Sequence, residues 1–226
     1  MSVEEVASSL HLSVREVIRM ADQRILPAVK VRGQWRFRAG EVWNWMEVNL
    51  STLPGRREKD RHPRPAARML ISPVLQEAGI AVEVAARTRP SVLGELAALA
   101  ETVDSTLDRR ILLAALQARE AQSTTALQDG VAVPHPATPL YTQGPLIAAV
   151  RTIRGIAFGE RGGGLTDLFF LVCCPEQRDH LLYLGRLCRL LIERPLRTEL
   201  RSAPDAAAFR RAIQQGESSI CDPERS

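Results

Sequence analysis

The stretch DGVAVPHP at residues 129–136 is the most informative part of the chain. A short apolar run carries His135 into a turn between two prolines, and each proline fixes its own φ and restrains the residue before it. Histidine changes charge near neutral pH, and its free ring nitrogen can act as a nucleophile. A rigid imidazole of this kind suits group transfer, although the local pattern is equally compatible with a surface histidine or a satisfied buried one.

The composition is that of a soluble globular protein, with 45% hydrophobic and 25% charged residues over a length that fits two modest domains or one large one. The longest strongly apolar run, 168–174, is too short to cross a bilayer. The N-terminus lacks the basic and apolar regions of a secretory signal. The four cysteines include no CxxC pair, which favours buried thiols over a disulfide framework or a metal site. We therefore expect a cytoplasmic protein without membrane insertion.

The net charge of +4 is unevenly distributed along the chain. Residues 54–68 hold six basic and two acidic side chains, several prolines and almost no apolar residues. This composition predicts a flexible basic linker, which we place at residues 51–67. Beside a DNA-binding module, its charge would add a sequence-independent attraction to phosphate.

Two capping boxes near the N-terminus predict a pair of short helices. In each, a serine is followed at the third position by a glutamate, the spacing that closes a helix N-terminus reciprocally. The pairs are Ser2 with Glu5 and Ser13 with Glu16. The first helix is expected to end near residue 9, and the second to run from residue 14 to about residue 23.

The second of these helices is amphipathic. Its predicted apolar face consists of Val14, Val17, Ile18 and Ala21. Arg15 and Arg19 lie on the other side. A short helix, a tight turn and a second helix with an exposed polar face are typical of a helix-turn-helix.

Residues 29–38 alternate with period two around Gly33, which predicts a β-hairpin. The predicted inner face holds Val29, Val31, Trp35 and Phe37, and the predicted outer face holds Lys30, Arg32, Arg36 and Arg38. A third helix is expected to start near residue 40 and to close the core with Val42, Trp45 and Met46. A scaffold whose charges are merely solvated is the alternative, but cations on one side of a hairpin favour a DNA-binding wing.

Residues 2–50 also resemble the excisionase-type, MerR-like winged helix-turn-helix family. The resemblance rests on EEVA at 4–7, SVREV at 13–17 and KVRGQWRF at 30–37. It implies that the second helix enters the major groove and that the wing lies beside it. The implied DNA-binding residues are Arg15 and Arg19 in the groove and Arg32, Gln34 and Arg36 on the backbone, with Lys30 on the same basic side. Small modules of this type also serve in protein contacts.

From residue 68 to 215, apolar strands and amphipathic helices alternate, which predicts an α/β domain. Helices are expected at 91–100, 105–121 and about 178–192, and strands at 145–150 and 167–174. The glycine-rich stretch 159–164 lacks the Gly-Lys-Ser/Thr of a phosphate-binding loop and predicts a hairpin or loop. Residues 216–226 are expected to form a disordered tail.

Two polar residues continue the apolar stripes of these helices. Arg119 extends the stripe of Leu112 and Leu116 and therefore needs an anionic partner, either a carboxylate such as Glu120 or a phosphoryl group. His180 heads the inner stripe of the helix at 178–192, in the first turn, where the helix dipole favours anions and disfavours imidazolium. Taken alone, a histidine that heads an apolar stripe is more often a packing residue than a chemical one.

Together these residues resemble the enzyme IIA domain of the bacterial phosphoenolpyruvate-dependent phosphotransferase system, in its mannitol, fructose or nitrogen-regulatory type. The resemblance covers most of residues 68–214. Its motifs are REAQSTT at 119–125 followed by GVAVPH at 130–135, and DLFFLV at 167–172 followed by PE at 175–176 and HL at 180–181. It implies a mixed β-sheet flanked by helices.

The resemblance also implies a chemistry. His135 corresponds to the histidine phosphorylated at Nε2, and His180 and Arg119 to the residues that hold the phosphoryl oxygens, with Ser123 and Thr124 as hydroxyl donors. The implied donor is the phosphohistidine of HPr or a paralogue, with no metal and no other cofactor. Residues 126–129 lack the glycines of the family pattern, and Asp129 is expected to add negative charge near the phosphate.

These features predict a phosphorylation-responsive regulator with DNA, and with a regulatory target protein, as its output. A transport component that passes the phosphoryl group to a sugar-specific subunit is the alternative. A phosphoryl-dead domain that serves only as an interaction surface is a third, which the set of Arg119, His135 and His180 disfavours. The lack of a membrane segment and of a cysteine-bearing sugar-acceptor domain in this chain favours regulation.

Overall fold

The structure, a computed structural model, describes residues 1–10, 12–38, 41–42, 45, 70–140, 142–160 and 163–221, with the backbone alone at 8, 9, 220 and 221. Contacts divide the chain into two compact units, Met1–Arg68 and Met69–Ser226. The linker predicted at 51–67 lies outside the described residues. Within the described part, no helix is long and apolar enough to cross a membrane.

The first unit begins with two helices, α1 at Val3–Leu10 and α2 at Val14–Asp22. Both predicted capping boxes are confirmed. The Ser2 N–H donates to Glu5 Oε2 at 2.6 Å, and the Glu5 N–H donates to Ser2 Oγ at 3.3 Å. The same two bonds join Ser13 and Glu16 at 3.0 and 3.2 Å. Each helix start is therefore closed by its own side chains.

The buried face of α2 differs from the predicted one. Val17, Met20 and Ala21 are buried, whereas Val14 and Ile18 are 41% and 36% exposed. Since each residue turns a helix by about 100°, Val14 and Ile18 lie roughly 70° and 110° from the centre of the buried arc. The small core of this unit covers only the arc from Met20 to Ala21, so the prediction was wrong for these two residues.

The predicted hairpin is present as β1, Val29–Val31, paired antiparallel with β2, Gln34–Arg36. Its turn residues, Arg32 and Gly33, have positive φ angles of 50° and 79°. Positive φ at both central positions is the geometry of the two-residue turn that matches strand twist. The glycine is favoured there because it adopts this conformation without strain.

The predicted division of the hairpin into an apolar and a basic face is wrong. Val31 lies opposite Gln34, and Lys30 lies opposite Trp35. A two-residue turn pairs odd with even positions, so Val31 shares a face with Gln34 and not with Trp35. Lys30 Nζ instead lies 4.6 Å from the centre of the Trp35 ring, a cation–π contact. Both valines of β1 are exposed, and of the four predicted inner residues Phe37 is the buried one.

A third helical segment closes this core, as predicted. Glu41, Val42 and Trp45 are helical, and Val42 and Trp45 are buried. The Val42 N–H donates to the Arg38 carbonyl at 3.1 Å. Met46, which was predicted to join them, lies outside the described residues.

The second unit is built on the predicted mixed sheet. Its strands are β3 at Ile80–Val84, β4 at Val131–Ala132, β5 at Leu146–Ile156 and β6 at Thr166–Cys173. They lie in the order β3-β5-β6-β4. The β5–β6 pair is antiparallel, and the β3–β5 and β4–β6 pairs are parallel. The glycine-rich stretch at 159–164 lies in the connection between the two central strands.

In the part of the unit that the structure describes, five α-helices accompany the sheet. They are α3 at Arg89–Val103, α4 at Arg109–Gln122, α5 at Gln177–Ile192, α6 at Arg194–Ser202 and α7 at Ala206–Cys221. α4 begins at Arg109 and not at the predicted residue 105, because the Asp108 side chain accepts from the N–H groups of Arg110 and Ile111. This N-cap sets where the helix starts.

Helices cover both faces of β6. Successive side chains of a strand point to opposite faces. Phe169 packs in the core formed with α3 and α4 and lies edge-on to Phe158, with ring centres 5.1 Å apart. Phe170, on the other face, contacts Phe209 of α7 at 5.8 Å. The central strands are therefore buried on both sides.

Three cysteines of this unit whose side chains the structure describes are buried thiols, as predicted. Cys173 is the last residue of β6, Cys174 follows it, and Cys188 lies within α5. Burial raises the pKa of Cys173 and of Cys188 to about 12. These side chains are packing residues, since a reactive thiolate requires a lowered pKa.

The end of the chain differs from the predicted disordered tail. α7 continues to Cys221, and the buried carboxylate of Glu217 accepts from the N–H groups of Ile71 and Ser72 at 2.5 and 2.9 Å. Glu217 also pairs with Arg186 of α5 at 3.3 Å. The two N–H donors to Glu217 lie more than a hundred positions away along the chain, and Arg186 lies 31 positions away, so no local pattern signals this role. Residues 222–226 lie outside the described residues.

Replacing this carboxylate will destabilise the second unit. The change Glu217→Ala removes the buried counter-charge of Arg186 and the acceptor of two buried N–H groups, so we expect a loss of about 3 kcal/mol in the free energy of unfolding. Urea denaturation measures this quantity. The control is Glu95→Ala, an exposed carboxylate of α3, which will change stability by less than about 0.5 kcal/mol. Equal effects of the two changes would contradict the role of Glu217.

Candidate functional site

The parallel pairing of β4 and β6 brings two histidines together. His135 follows β4, and the pairing extends toward it because the Val172 N–H donates to the Pro134 carbonyl at 3.3 Å. α5 follows β6 and carries His180 in its first turn. The carboxyl ends of parallel strands meet at one edge of the sheet. The two ring centres are accordingly 5.4 Å apart, with the rings tilted by 54°.

A hydrogen bond to the backbone orients the His135 ring. Its Nδ1 lies 2.8 Å from the Val133 carbonyl oxygen. Since a carbonyl only accepts, Nδ1 carries the proton, and the lone pair of the neutral ring is on Nε2. His135 and His180 are 5% and 3% exposed. The arrangement holds a nucleophilic nitrogen of defined identity at the edge of the sheet.

The acceptor for this bond is available because of Glu120. Ala126 and Ala132 form an antiparallel bridge, and the Val133 N–H donates to the Thr125 carbonyl at 3.0 Å. In a regular pair, the Thr125 N–H would return a bond to the Val133 carbonyl. It donates to the Glu120 carboxylate at 3.0 Å instead, and the Thr125 hydroxyl donates there too. Glu120 thereby leaves the Val133 carbonyl to His135.

Arg119 lies in the last turn of α4, beside the same segment. Its buried guanidinium donates from Nη1 to the Ser123 carbonyl at 2.8 Å. Burial lowers the pKa of Arg119, and the neighbouring Glu120 opposes that shift. Ser123 is the C-cap residue of this helix and lies two positions before Thr125, whose carbonyl accepts from the Val133 N–H. Arg119 is thus bound to the segment that pairs with the strand leading to His135.

Ser123 and Thr124 differ in their suitability as hydroxyl donors. The Thr124 hydroxyl donates to the Phe158 carbonyl and accepts from the Ala126 N–H, both at 3.1 Å. It therefore joins the end of α4 to the loop after β5. Gly159 of that loop has a φ of 105°, and a Cβ there would lie 2.9 Å from the Thr124 hydroxyl. Ser123 is the better candidate for a phosphoryl contact.

Asp129 lies away from the place where it was expected. It precedes β4, whereas His135 follows that strand, so the two occupy opposite ends. Its Oδ2 is paired with Arg197 Nη2 at 2.7 Å, and its carbonyl accepts from Arg201 Nη2 at 2.6 Å. The expectation that Asp129 adds negative charge near the phosphate is wrong, because its charge is paired at the far edge.

Arg197 and Arg201 are structural residues that the sequence reading missed. Arg201 also donates to both carboxylate oxygens of Asp167, at the start of β6. The side-chain hydrogen bond to Asp167 raises the pKa of Arg201. A spacing of four residues puts both arginines on one face of α6, and that spacing was the available signal. Together they hold the amino ends of β4 and β6.

The six candidate DNA-binding residues all lie on the surface of the first unit. Arg15 and Arg19 are exposed on α2, and Arg32 is exposed in the hairpin turn. On β2, exposed Arg36 donates from Nη2 to the Gln34 amide oxygen at 2.7 Å. Lys30 is exposed as well, but it contacts Trp35 and lies 3.8 Å from Asp22.

The chain matches two family models. Residues 73–216, more than half of the chain, match the family described as phosphoenolpyruvate-dependent sugar phosphotransferase system, EIIA 2. Residues 1–48 match a helix-turn-helix domain. The chain therefore belongs to the EIIA 2 family and carries a helix-turn-helix domain ahead of the family domain.

Curated relatives fall into two groups. A nitrogen regulatory protein of Bradyrhizobium diazoefficiens is 36% identical over 124 residues, which cover 54% of this chain and 80% of that protein. A fructose-specific EIIABC component of Bacillus subtilis is 28% identical over 149 residues, or 65% of this chain. The match spans 23% of the Bacillus protein's length.

Solved structures agree on the fold. The nitrogen regulatory protein IIA-Ntr of Neisseria meningitidis superposes with a TM-score of 0.57 at 24% identity, over 63% of this chain and 98% of that one. IIA mannitol of Escherichia coli gives a TM-score of 0.54 at 15% identity, over 61% and 97%. The mixed sheet with flanking helices is the fold that these proteins share.

The Val133 hydrogen bond predicts the tautomer of His135. In protein labelled with ¹⁵N-histidine, we expect Nδ1 of the neutral His135 ring to resonate as a protonated nitrogen and Nε2 as an unprotonated one. Two-dimensional ¹H–¹⁵N NMR at a pH where the ring is neutral measures both, and His135→Gln assigns the signals. An unprotonated Nδ1 would show that Val133 does not orient the ring.

Proposed function

We propose that this member of the EIIA 2 family accepts a phosphoryl group on Nε2 of His135 from the phosphohistidine of an HPr-like carrier. The hydrogen bond from His135 Nδ1 to the Val133 carbonyl carries the proposal, because it leaves the Nε2 lone pair as the nucleophile. In the transfer, Nε2 forms a bond to phosphorus while the N–P bond of the carrier breaks. The carrier imidazole is the leaving group.

Charge neutralisation assists this reaction. Phosphoryl transfer depends on positioning and on stabilising negative charge on the three equatorial oxygens. His180 lies beside the His135 ring in the first turn of α5, where helix N–H groups favour an anion. Arg119 supplies a guanidinium from the last turn of α4, and Ser123 supplies a hydroxyl from the residue that follows this helix. We assign these three residues to the phosphoryl oxygens.

The first unit gives the phosphorylation a regulatory output. The helix-turn-helix match and the exposed cations of α2 and β2 support binding to duplex DNA. We propose that the charge gained at His135 changes what the protein binds, either DNA or a regulatory target protein, within the cytoplasm. The likeness to a nitrogen regulatory protein supports regulation.

Transfer to a transporter subunit is the second candidate function. It is favoured by the 28% identity to a fructose-specific EIIABC component. A solved complex of enzyme IIAMTL with phosphorylated enzyme IIBMTL shares the fold, with a TM-score of 0.54. The helix-turn-helix domain has no role in that function, so we place regulation first.

Phosphoryl acceptance is tested by labelling. With radiolabelled phosphoenolpyruvate, enzyme I and HPr, we expect stable label on the wild type and none on His135→Ala. Arg119→Ala is expected to slow labelling by roughly a hundredfold, the effect of removing one oxyanion donor. His11→Ala, which changes a histidine of the first unit, is the control and will label like the wild type. Equal labelling of His135→Ala would refute the assignment of the acceptor.

DNA binding is tested through its salt dependence. The full chain is expected to bind duplex DNA with an affinity that falls steeply with salt, because cations displace counterions from phosphate. Replacing Arg32 and Arg36 by Gln removes two such contacts. The negative slope of log Kobs against log salt is then expected to become shallower by about 1.8. Fluorescence anisotropy at several salt concentrations measures it, with Arg109→Gln of α4 as the control. No affinity at low salt would exclude DNA as the partner.

A further inference from the structure

The face of α2 that points away from the core combines arginines with β-branched apolar residues. Val14, Arg15, Ile18, Arg19 and Asp22 are exposed, whereas Val17, Met20 and Ala21 are buried. At about 100° per residue, the exposed residues fill one continuous arc of roughly 140°. Val14 and Ile18 form one border of this arc, and Arg15 and Arg19 form the other. Two parallel ridges of different chemistry therefore run along one helix face.

The apolar ridge lies outside the buried core of the described part of the unit. Each of its two residues is at least a third exposed. Single exposed apolar residues are common on protein surfaces. Two β-branched residues spaced by four on the face of a helix form a continuous surface instead, since residues four apart are neighbours. Such a ridge beside two guanidinium groups suits a ligand that offers methyl groups next to hydrogen-bond acceptors.

We propose that this face of α2 reads thymine methyl groups next to guanines in the major groove of duplex DNA. The inference rests on the DNA binding proposed above and names the base chemistry of the site. In the major groove, thymine presents its C5 methyl group, and guanine presents the acceptors N7 and O6. Val14 and Ile18 contact the methyl groups, and Arg15 and Arg19 donate to the guanines.

The spacing of the two ridges suits this reading. Residues four apart on a helix are separated by about 6 Å along the axis. Successive base pairs of a DNA strand are about 3.4 Å apart. Val14 and Ile18 therefore reach methyl groups roughly two base-pair steps apart, and Arg15 and Arg19 reach guanines at the same interval.

The charges around the ridges favour a polyanion over an apolar protein partner. Arg15, Arg19, Arg32 and Arg36 are exposed on the same small unit. The carboxylate of Glu16 is held by the N–H and hydroxyl of Ser13. Asp22 lies 3.8 Å from Lys30, which offsets its charge. The exposed arc therefore presents net positive charge with an apolar border.

The test exchanges thymine for deoxyuridine, which removes the C5 methyl group and keeps the base pairing. A duplex is selected with the full chain from a random-sequence pool and is then resynthesised with deoxyuridine at every thymine position. Fluorescence anisotropy measures the affinity of both duplexes for the wild type, for the double variant Val14→Ala/Ile18→Ala and for Ile153→Ala. The last is a matched control, because Ile153 is an exposed isoleucine of β5 in the other unit.

We expect the wild type and the control to bind the deoxyuridine duplex roughly fourfold more weakly for each methyl group contacted. The double variant is expected to bind the two duplexes equally. The base exchange tests the wild type directly, so the result does not depend on the stability of the variant.

Two results would overturn the inference, and one of them would also reject the DNA binding proposed above. Equal affinity of the wild type for both duplexes, with strong salt dependence, rejects methyl reading and leaves the DNA proposal in place. No binding to any duplex at low salt rejects both. In that case, self-association that is lost in Val14→Ala/Ile18→Ala, measured by analytical ultracentrifugation, would identify the ridge as a protein interface.

Discussion

The parallel pairing of β4 with β6 is the constraint on which the candidate site depends. β4 spans only Val131–Ala132, yet it determines that His135 emerges at the same edge as the N-terminus of α5. Arg197 and Arg201 hold the amino ends of both strands through Asp129 and Asp167. A shift of this pairing would separate His135 from His180. The site is therefore maintained from the opposite edge of the sheet, by ion pairs that take no part in the chemistry.

The Glu120 carboxylate links the end of α4 to the orientation of His135. By accepting both the N–H and the hydroxyl of Thr125, it replaces one rung of the antiparallel pairing and leaves the Val133 carbonyl for the imidazole. Arg119, the preceding residue, binds Ser123 from the same helix turn. One turn of α4 thus positions the Arg119 guanidinium and, through Glu120, favours the His135 tautomer with its proton on Nδ1. The Arg-Glu pair in the sequence has two separate functions in the fold.

Local sequence patterns predicted most of the helices and strands, and they failed where contacts between distant residues determine the structure. The capping boxes placed the starts of α1 and α2, because a serine and a glutamate at the right spacing close a helix by themselves. Alternation along the sequence did not predict which hairpin residues share a face. The two-residue turn pairs each odd-numbered residue of β1 with an even-numbered residue of β2, and the reverse. The end of α7 was missed for another reason. Glu217 is held there by Arg186, Ile71 and Ser72, which lie far away along the chain.

The sequence by itself determined the starts of α1 and α2, the α/β character of the second unit, the mixed sheet implied by its motifs and the identity of the candidate residues His135, His180 and Arg119. These follow from residue spacing and from motifs that can be recognised in the sequence alone. Only the tertiary structure decided that Asp129 lies away from His135, that Val14 and Ile18 are exposed, and that Nδ1 of His135 carries the proton. Each of these depends on contacts across the sheet or across the small core. Such contacts join residues that are distant in the sequence, so local sequence patterns do not predict them.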